Sequence, residues 1–159
     1  MFVQRSLLLL TLLAVALSPA LAKPDFSGEW KMDASKSDFG DVPAADSILL
    51  HITHSEPKVT VKQYQSGGPM GELSAELNYA TDGSETKSTV RGSEMTSIGK
   101  WSGEALKVTT KMAWDGNEVK IVETWKLTSG GKTLEMVREI IHTDGTSTMK
   151  LVFAKSDKK

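Results

Sequence analysis

The sequence predicts an all-β protein, folded as an up-and-down antiparallel β-barrel of about ten strands. Dipeptides that favour tight turns recur at short intervals, among them Asp82-Gly83, Asp115-Gly116, Gly130-Gly131 and Asp144-Gly145. Between these turns apolar and polar residues alternate with the period of a β-strand, and no apolar stripe of helical period occurs. Such regular punctuation is typical of an antiparallel meander.

Cross-strand pairing about these turns gives a second, independent indication. Pairing about Gly130-Gly131 places Trp125 opposite Met136 and Glu123 opposite Arg138. The other predicted partners are Leu127 with Leu134, Ile121 with Ile140, Met112 with Val119, Leu106 with Trp125, Ile140 with Met149, Met136 with Phe153, Val90 with Met95, Tyr79 with Thr86 and Ala75 with Val90. Because a slip of one residue would turn a strand inside out, this shared parity favours one continuous inner face.

The strands follow from these turns and from the alternation between them. They are predicted at Phe26–Met32, Ser47–His54, Lys58–Tyr64, Glu72–Tyr79, Ser84–Val90, Glu94–Trp101, Ala105–Trp114, Glu118–Leu127, Lys132–His142 and Thr146–Lys155. A meander of this size leaves two exposed edges, and closure into a barrel removes them. An eight-stranded barrel is the alternative.

Residues 1–22 have the pattern of a secretory signal peptide. Arg5 precedes an apolar run from Leu7 to Leu17, and Ala20-Leu21-Ala22 provides small residues at a cleavage site. A transmembrane anchor is the alternative, but it needs about 20 apolar residues. We expect cleavage before Lys23 and a periplasmic or secreted product, with residues 23–159 forming a single barrel domain.

Composition excludes several classes of function. The chain of 159 residues has a formal net charge of −1, so it lacks the overall positive charge that attracts nucleic acids. It contains no cysteine, which excludes disulfides, thiolate metal sites and a Cys nucleophile. His51 and His54 are expected on opposite faces of one strand and cannot chelate one metal together. We predict no metal, no cofactor, no nucleic-acid partner and no membrane span in the mature chain.

The first predicted strand carries a motif with a known counterpart. Phe26-Ser27-Gly28-Glu29-Trp30 resembles the Gly-x-Trp opening of the calycin superfamily, which includes lipocalins, avidins and fatty-acid-binding proteins. The resemblance implies a lipocalin-like barrel over residues 23–159, with Trp30 plugging one end, and the strand number is closest to the fatty-acid-binding type. Two features depart from that type. Residues 33–46 are too short and polar for a helical lid, and Met149-Lys150-Leu151 lacks its Arg-x-Tyr carboxylate clamp.

The predicted inner face has two contrasting sectors. The last four strands and the second and third strands place large apolar side chains inside. The fifth and sixth strands place small ones there, namely Ser84, Thr86, Ser88, Ser97 and Gly99. Small side chains cannot fill the middle of a barrel of this size, which predicts a cavity between an apolar wall and a small polar wall. The alternative is a sector that is flattened, exposed or pulled against the opposite wall.

Two charged residues fall on the apolar wall. Glu123 and Arg138 have inward parity and face each other, so they should form a charge-assisted pair. The pair is either a polar anchor for a ligand or a self-satisfied buried pair. The predicted ligand-binding residues are Tyr79, Ser88, Ser97, Thr110, Ile121, Glu123, Met136 and Arg138.

The function predicted from these residues is binding of a small, mainly apolar ligand by a monomer. The main alternative is a barrel with a filled interior that binds a protein or a glycan through its surface. An enzyme is not expected, because the sequence has no Gly-x-Ser-x-Gly elbow, no phosphate loop and no acid–base pair, and we identify no catalytic residue.

Overall fold

The computed structural model describes residues 22–156 and consists almost entirely of β-strands. The ten strands are β1 Gly28–Met32, β2 Ala45–Ser55, β3 Lys58–Gly67, β4 Leu73–Ala80, β5 Asp82–Val90, β6 Ser93–Ser102, β7 Ala105–Trp114, β8 Asn117–Thr128, β9 Thr133–His142 and β10 Gly145–Lys155. One 3-10 turn, Ser129–Gly131, links β8 to β9, and residues 22–156 contain no α-helix. Apart from Ala22, the predicted signal peptide lies outside the described residues.

All ten strands belong to one antiparallel sheet with the order β4-β3-β2-β1-β10-β9-β8-β7-β6-β5. The first strand joins β2 on one side and β10 on the other, so the sheet curls around until β4 and β5 approach each other. The prediction of an all-β, ten-stranded antiparallel barrel is therefore confirmed, and the barrel is nearly closed.

The predicted register is confirmed for two hairpins and shifted in two others. Glu123 faces Arg138, and Leu106 faces Trp125, as expected. In the β9–β10 hairpin the predicted register was wrong by two residues, because the turn closes one residue earlier and places Arg138 opposite Met149. The β5–β6 hairpin is shifted in the same way, since Arg91 and Gly92 adopt the positive φ angles of the turn. A shift of two residues keeps every side chain on its predicted face.

The hairpin predicted about Asp82-Gly83 does not form a ladder, since β4 and β5 are the two ends of the sheet. A bulge after Asp82 displaces the start of β5, and Ser84 is exposed instead of inward. Side-chain hydroxyls bridge the gap between the strands. The backbone N–H of Asn78 donates to Ser88 Oγ at 2.8 Å, and Thr86 Oγ1 donates to the backbone carbonyl of Asn78 at 2.6 Å.

One half of the barrel interior, which we call the filled half, is closed by large apolar side chains. They are Phe26, Trp30, Leu106, Trp125, Leu134 and Phe153, all fully or almost fully buried. The indole of Trp30 donates to the Phe26 carbonyl at 2.8 Å, and the Phe26 ring meets the Trp125 ring edge-on at a centroid distance of 5.6 Å. Trp30 thus lies in the plug of one barrel end, which the calycin resemblance implied.

A polar cluster seals the outer edge of the filled half. Glu56 accepts hydrogen bonds from the Trp101 indole and from His54 Nε2, both at 3.0 Å, and from the Thr81 hydroxyl. Partial burial raises the pKa of the Glu56 carboxyl, but these three hydrogen bonds outweigh burial and hold the pKa below its ordinary value. The cluster ties β2, the β2–β3 turn, β6 and the junction of β4 with β5 together at this end.

Candidate ligand-binding site

The other half of the barrel encloses a cavity of about 370 Å³. Its walls come from strands β2 to β10 and from the segment that follows β1. Most of the lining is apolar: Phe39, Val42, Pro43, Ala45, Ile48, Pro69, Met70, Leu73, Ala75, Leu77, Val90, Met95, Met112, Trp114, Val119, Ile121, Ile140, Met149 and Leu151. The polar lining residues are Gln63, Gln65, Tyr79, Thr110, Glu123, Arg138, His142 and Ser147. Size and lining are those of a site for a small molecule, for which volumes of roughly 300–1,000 Å³ are usual.

Residues 33–44, which we call the strap, cross the mouth of this cavity without forming a helix. The Asp38 and Lys150 backbones exchange two hydrogen bonds, each 2.7 Å long, so the strap is tied to β10. Phe39 and Val42 pack from the strap against the core and line the cavity. The expectation of no helical lid holds, yet the segment still contributes apolar wall.

The floor of the cavity is a buried ion pair between β8 and β9. Glu123 Oε1 accepts from Arg138 Nε at 2.6 Å and lies 2.5 Å from Arg138 Nη2, while Glu123 Oε2 accepts from the Trp125 indole at 3.1 Å. Burial lowers the pKa of Arg138, but the adjacent carboxylate outweighs it and raises the pKa above the ordinary value. The predicted pair therefore forms, and its charges neutralise each other.

Tyr79 completes the floor opposite this pair. Its ring packs edge-on against Trp125 at a centroid distance of 5.6 Å. Burial, and secondly the charge of Glu123, raises the pKa of the Tyr79 phenol, so the hydroxyl keeps its proton. Within residues 22–156, every side-chain nitrogen or oxygen that is fully buried has a hydrogen-bond partner. The Tyr79 hydroxyl, which has no partner among these residues, therefore opens onto the cavity and can donate there.

Five of the eight predicted ligand-binding residues line the cavity: Tyr79, Thr110, Ile121, Glu123 and Arg138. Ser88, Ser97 and Met136 do not line it. Ser88 bridges the gap between β4 and β5, and Ser97 lies against Thr110 with their hydroxyl oxygens 2.7 Å apart. Met136 is buried beside the guanidinium of Arg138, with its sulfur 3.7 Å from Nη2. Ligand binding itself stays a prediction for all eight.

The small polar wall predicted on β5 and β6 is wrong as a cavity wall. Gly99 lies so close to Ala80 that an added Cβ would overlap the Ala80 carbonyl oxygen. Here β6 lies against the end of β4 and not against the opposite wall, so this sector encloses no cavity. The cavity instead lies on the other side of the floor from the filled half, toward the ends of the strands.

Gln63 and Gln65 are lining residues that the sequence analysis missed. Gln63 Nε2 donates to Gln65 Oε1 at 3.1 Å, and Gln65 Nε2 donates to the Gly67 carbonyl at 3.2 Å. They continue the inward parity of Val59 and Val61, so the signal was present. They were missed because glutamine is polar and was therefore not assigned to the inner face.

Two further findings concern metal binding and membrane-spanning helices in the described part of the chain. Residues 22–156 bring together no group of three or more His, Cys, Asp or Glu side chains able to hold a metal ion. Within the same residues, no helix has both the length and the apolar character needed to cross a membrane.

The nearly closed ten-stranded antiparallel barrel has the calycin-type fold that the sequence resemblance implied. Comparison with solved structures gives the same class. The neighbours include a zebrafish ileal bile acid-binding protein complexed with cholic acid, which has a TM-score of 0.56 and 14% identity, with 82% of this chain and 98% of that chain covered.

Two further neighbours have the same fold at similar distance. Human cRBP IV has a TM-score of 0.53 and 15% identity, with 84% of this chain and 99% of that chain covered. A secretory abundant heat soluble protein from Ramazzottius varieornatus has a TM-score of 0.57 and 14% identity, with 82% and 94% covered. At such low identity the likeness concerns the fold alone. No protein-family model and no curated protein matches the sequence.

Proposed function

We propose that the protein is an exported carrier, periplasmic or secreted, that holds a small and mainly apolar molecule inside its barrel. The observation that carries this proposal is the half-hollow interior, where a mainly apolar cavity of about 370 Å³ ends on a polar floor. Such a cavity shields apolar surface from water and leaves a few polar groups to orient the guest. The cholic acid complex of one structural neighbour supports this use of the fold.

The competing functions have weaker support. A barrel that works only through its outer surface has no use for a cavity, and filling the cavity with side chains would stabilise it. A hydrolase or isomerase would need a positioned acid–base pair. Glu123 and Arg138 neutralise each other, and His142 lies exposed at the rim of the cavity. Binding is the function that this set of groups can serve.

Ala75→Phe tests the proposal, since Ala75 points into the cavity from β4. Phenylalanine at this position should fill the space and lower the affinity for Nile red, an uncharged dye that fluoresces in apolar surroundings, by at least about tenfold. Ser74→Phe, with its side chain on the outer face of the same strand, is the matched control and should bind dye as the wild type does. Equal dye binding by both variants would refute a cavity site.

Export is tested separately, by the intact mass of the protein recovered from the periplasm or medium. The proposal requires a chain that begins at Lys23. Recovery of the full chain with residues 1–22 attached would contradict it.

A further inference from the structure

We propose that the cavity selects ligands with an uncharged, hydrogen-bonding head group, such as a long-chain alcohol, and rejects the carboxylate of the same chain length. This inference rests on the proposed carrier function and specifies its ligand class. The juxtaposition that carries it is a guanidinium already neutralised by a carboxylate at the floor of an otherwise apolar cavity.

The floor has no net charge to offer an anion. Arg138 is the only Lys or Arg side chain that lines the cavity within residues 22–156, and Glu123 already takes its Nε and Nη2. A ligand carboxylate would bring a second negative charge beside Glu123. Like charges in a partly desolvated site disfavour each other, and the lost hydration of the anion would not be replaced.

Within residues 22–156, the rim of the cavity supplies no unpaired Lys or Arg side chain to the lining. Arg91, at the β5–β6 turn, donates from its guanidinium to the carbonyls of Met70 and Glu72, the latter at 2.6 Å. These contacts hold the loop before β4 against the β5–β6 turn. A fatty acid bound with its head outward would therefore find no unpaired Arg or Lys among the lining residues.

The polar groups that stay open suit a hydroxyl. The Tyr79 hydroxyl and Arg138 Nη1 have no partner in residues 22–156, and both can donate to an uncharged oxygen. Gln63 uses its amide nitrogen on Gln65, which leaves its carbonyl oxygen as an acceptor. An alcohol both accepts and donates, so it can use groups of both kinds without adding charge.

The test compares dodecan-1-ol with dodecanoate at pH 8, where the acid is ionised. The two probes share one alkyl chain and differ only in the head group. Each is titrated against wild-type protein loaded with Nile red, and dye displacement is followed by fluorescence. We expect the alcohol to displace the dye at a concentration at least about tenfold lower than the acid.

Glu123→Gln provides the decisive variant, because it leaves the Arg138 charge unmatched. In this variant the preference should shift toward dodecanoate by at least about tenfold relative to wild type. Glu139→Gln makes the same change on the exposed outer face of β9 and should keep the wild-type preference. If Glu123→Gln does not fold, the double variant Glu123→Leu/Arg138→Met replaces it, and it should show weaker alcohol binding with no gain for the acid.

The outcomes separate this inference from the carrier function. Equal or tighter binding of dodecanoate by the wild type overturns the neutral-head inference and leaves the carrier function standing. Displacement by neither probe from a dye-loaded barrel also overturns it. Failure of the wild type to bind Nile red at all contradicts the carrier function itself.

Discussion

The Glu123 carboxylate accepts hydrogen bonds from Arg138 and from the Trp125 indole, and only 7% of the Glu123 side chain is exposed. Each charge of the pair therefore depends on the other for solvation. This interdependence makes the energetics of the pair measurable by mutation.

Glu123→Leu and Arg138→Met should each lower the free energy of unfolding by about 3 kcal/mol, because each leaves one charge unmatched among apolar side chains. The double variant should recover most of that loss, since two apolar residues can replace the pair at small cost. Denaturant melts of the four proteins form the double-mutant cycle that measures this coupling.

The exposed pair Lys87–Glu94 is the matched control for the cycle. Its charged atoms lie 2.9 Å apart, but 62% and 61% of the two side chains are exposed. Coupling there should be no more than about 1 kcal/mol. Additive effects at Glu123 and Arg138 would show that the two side chains do not meet in solution.

Individual residues show how far sequence reasoning reaches. Glu123 and Arg138 could be paired because a glycine turn and strict alternation fix which side chains face each other. Gln63 shares the inward parity of Val59 and Val61, but it was not assigned to the lining because only apolar residues were placed inside. Its burial depends on the cavity being hollow, a property of the whole barrel.

At the scale of elements, local signals specify strands and faces but not every partner. Turn dipeptides and alternation predicted all ten strands to within three residues at each end, yet two hairpins close on a neighbouring dipeptide and shift by two residues. The separation of β4 from β5 has no local signal, because a bulge and long-range closure produce it. The strap was likewise assigned as a polar loop, although Phe39 and Val42 line the cavity.

Gly99 sets how closely β6 approaches the end of β4. Gly99→Ala should lower the free energy of unfolding by about 1–3 kcal/mol, because the added Cβ would overlap the Ala80 carbonyl oxygen and force the strands apart. A chemical-denaturation curve measures the loss.

Ser74→Ala is the control for this change, since Ser74 lies exposed on the outer face of β4. Its effect should stay within about 0.5 kcal/mol. A Gly99→Ala protein as stable as the control would mean that β6 and β4 are not in close contact.

The whole molecule divides its interior between stability and space. Aromatic and aliphatic side chains pack one half to completion, and the Tyr79, Glu123 and Arg138 floor separates this half from the cavity. The filled half is therefore closely packed, and the other half leaves space for a ligand. This division follows from side-chain volumes summed around ten strands, which no single strand reveals.

Methionine methyl groups report directly on where a guest binds. Met70, Met95, Met112 and Met149 line the cavity, whereas Met32 is buried outside its lining. In protein labelled with ¹³C at the methionine methyl groups, titration with dodecan-1-ol should shift the signals of the four cavity residues and leave Met32 nearly unchanged. Shifts confined to Met32, or no shift in any methionine while the ligand is shown to bind, would contradict binding inside the hollow half of the barrel.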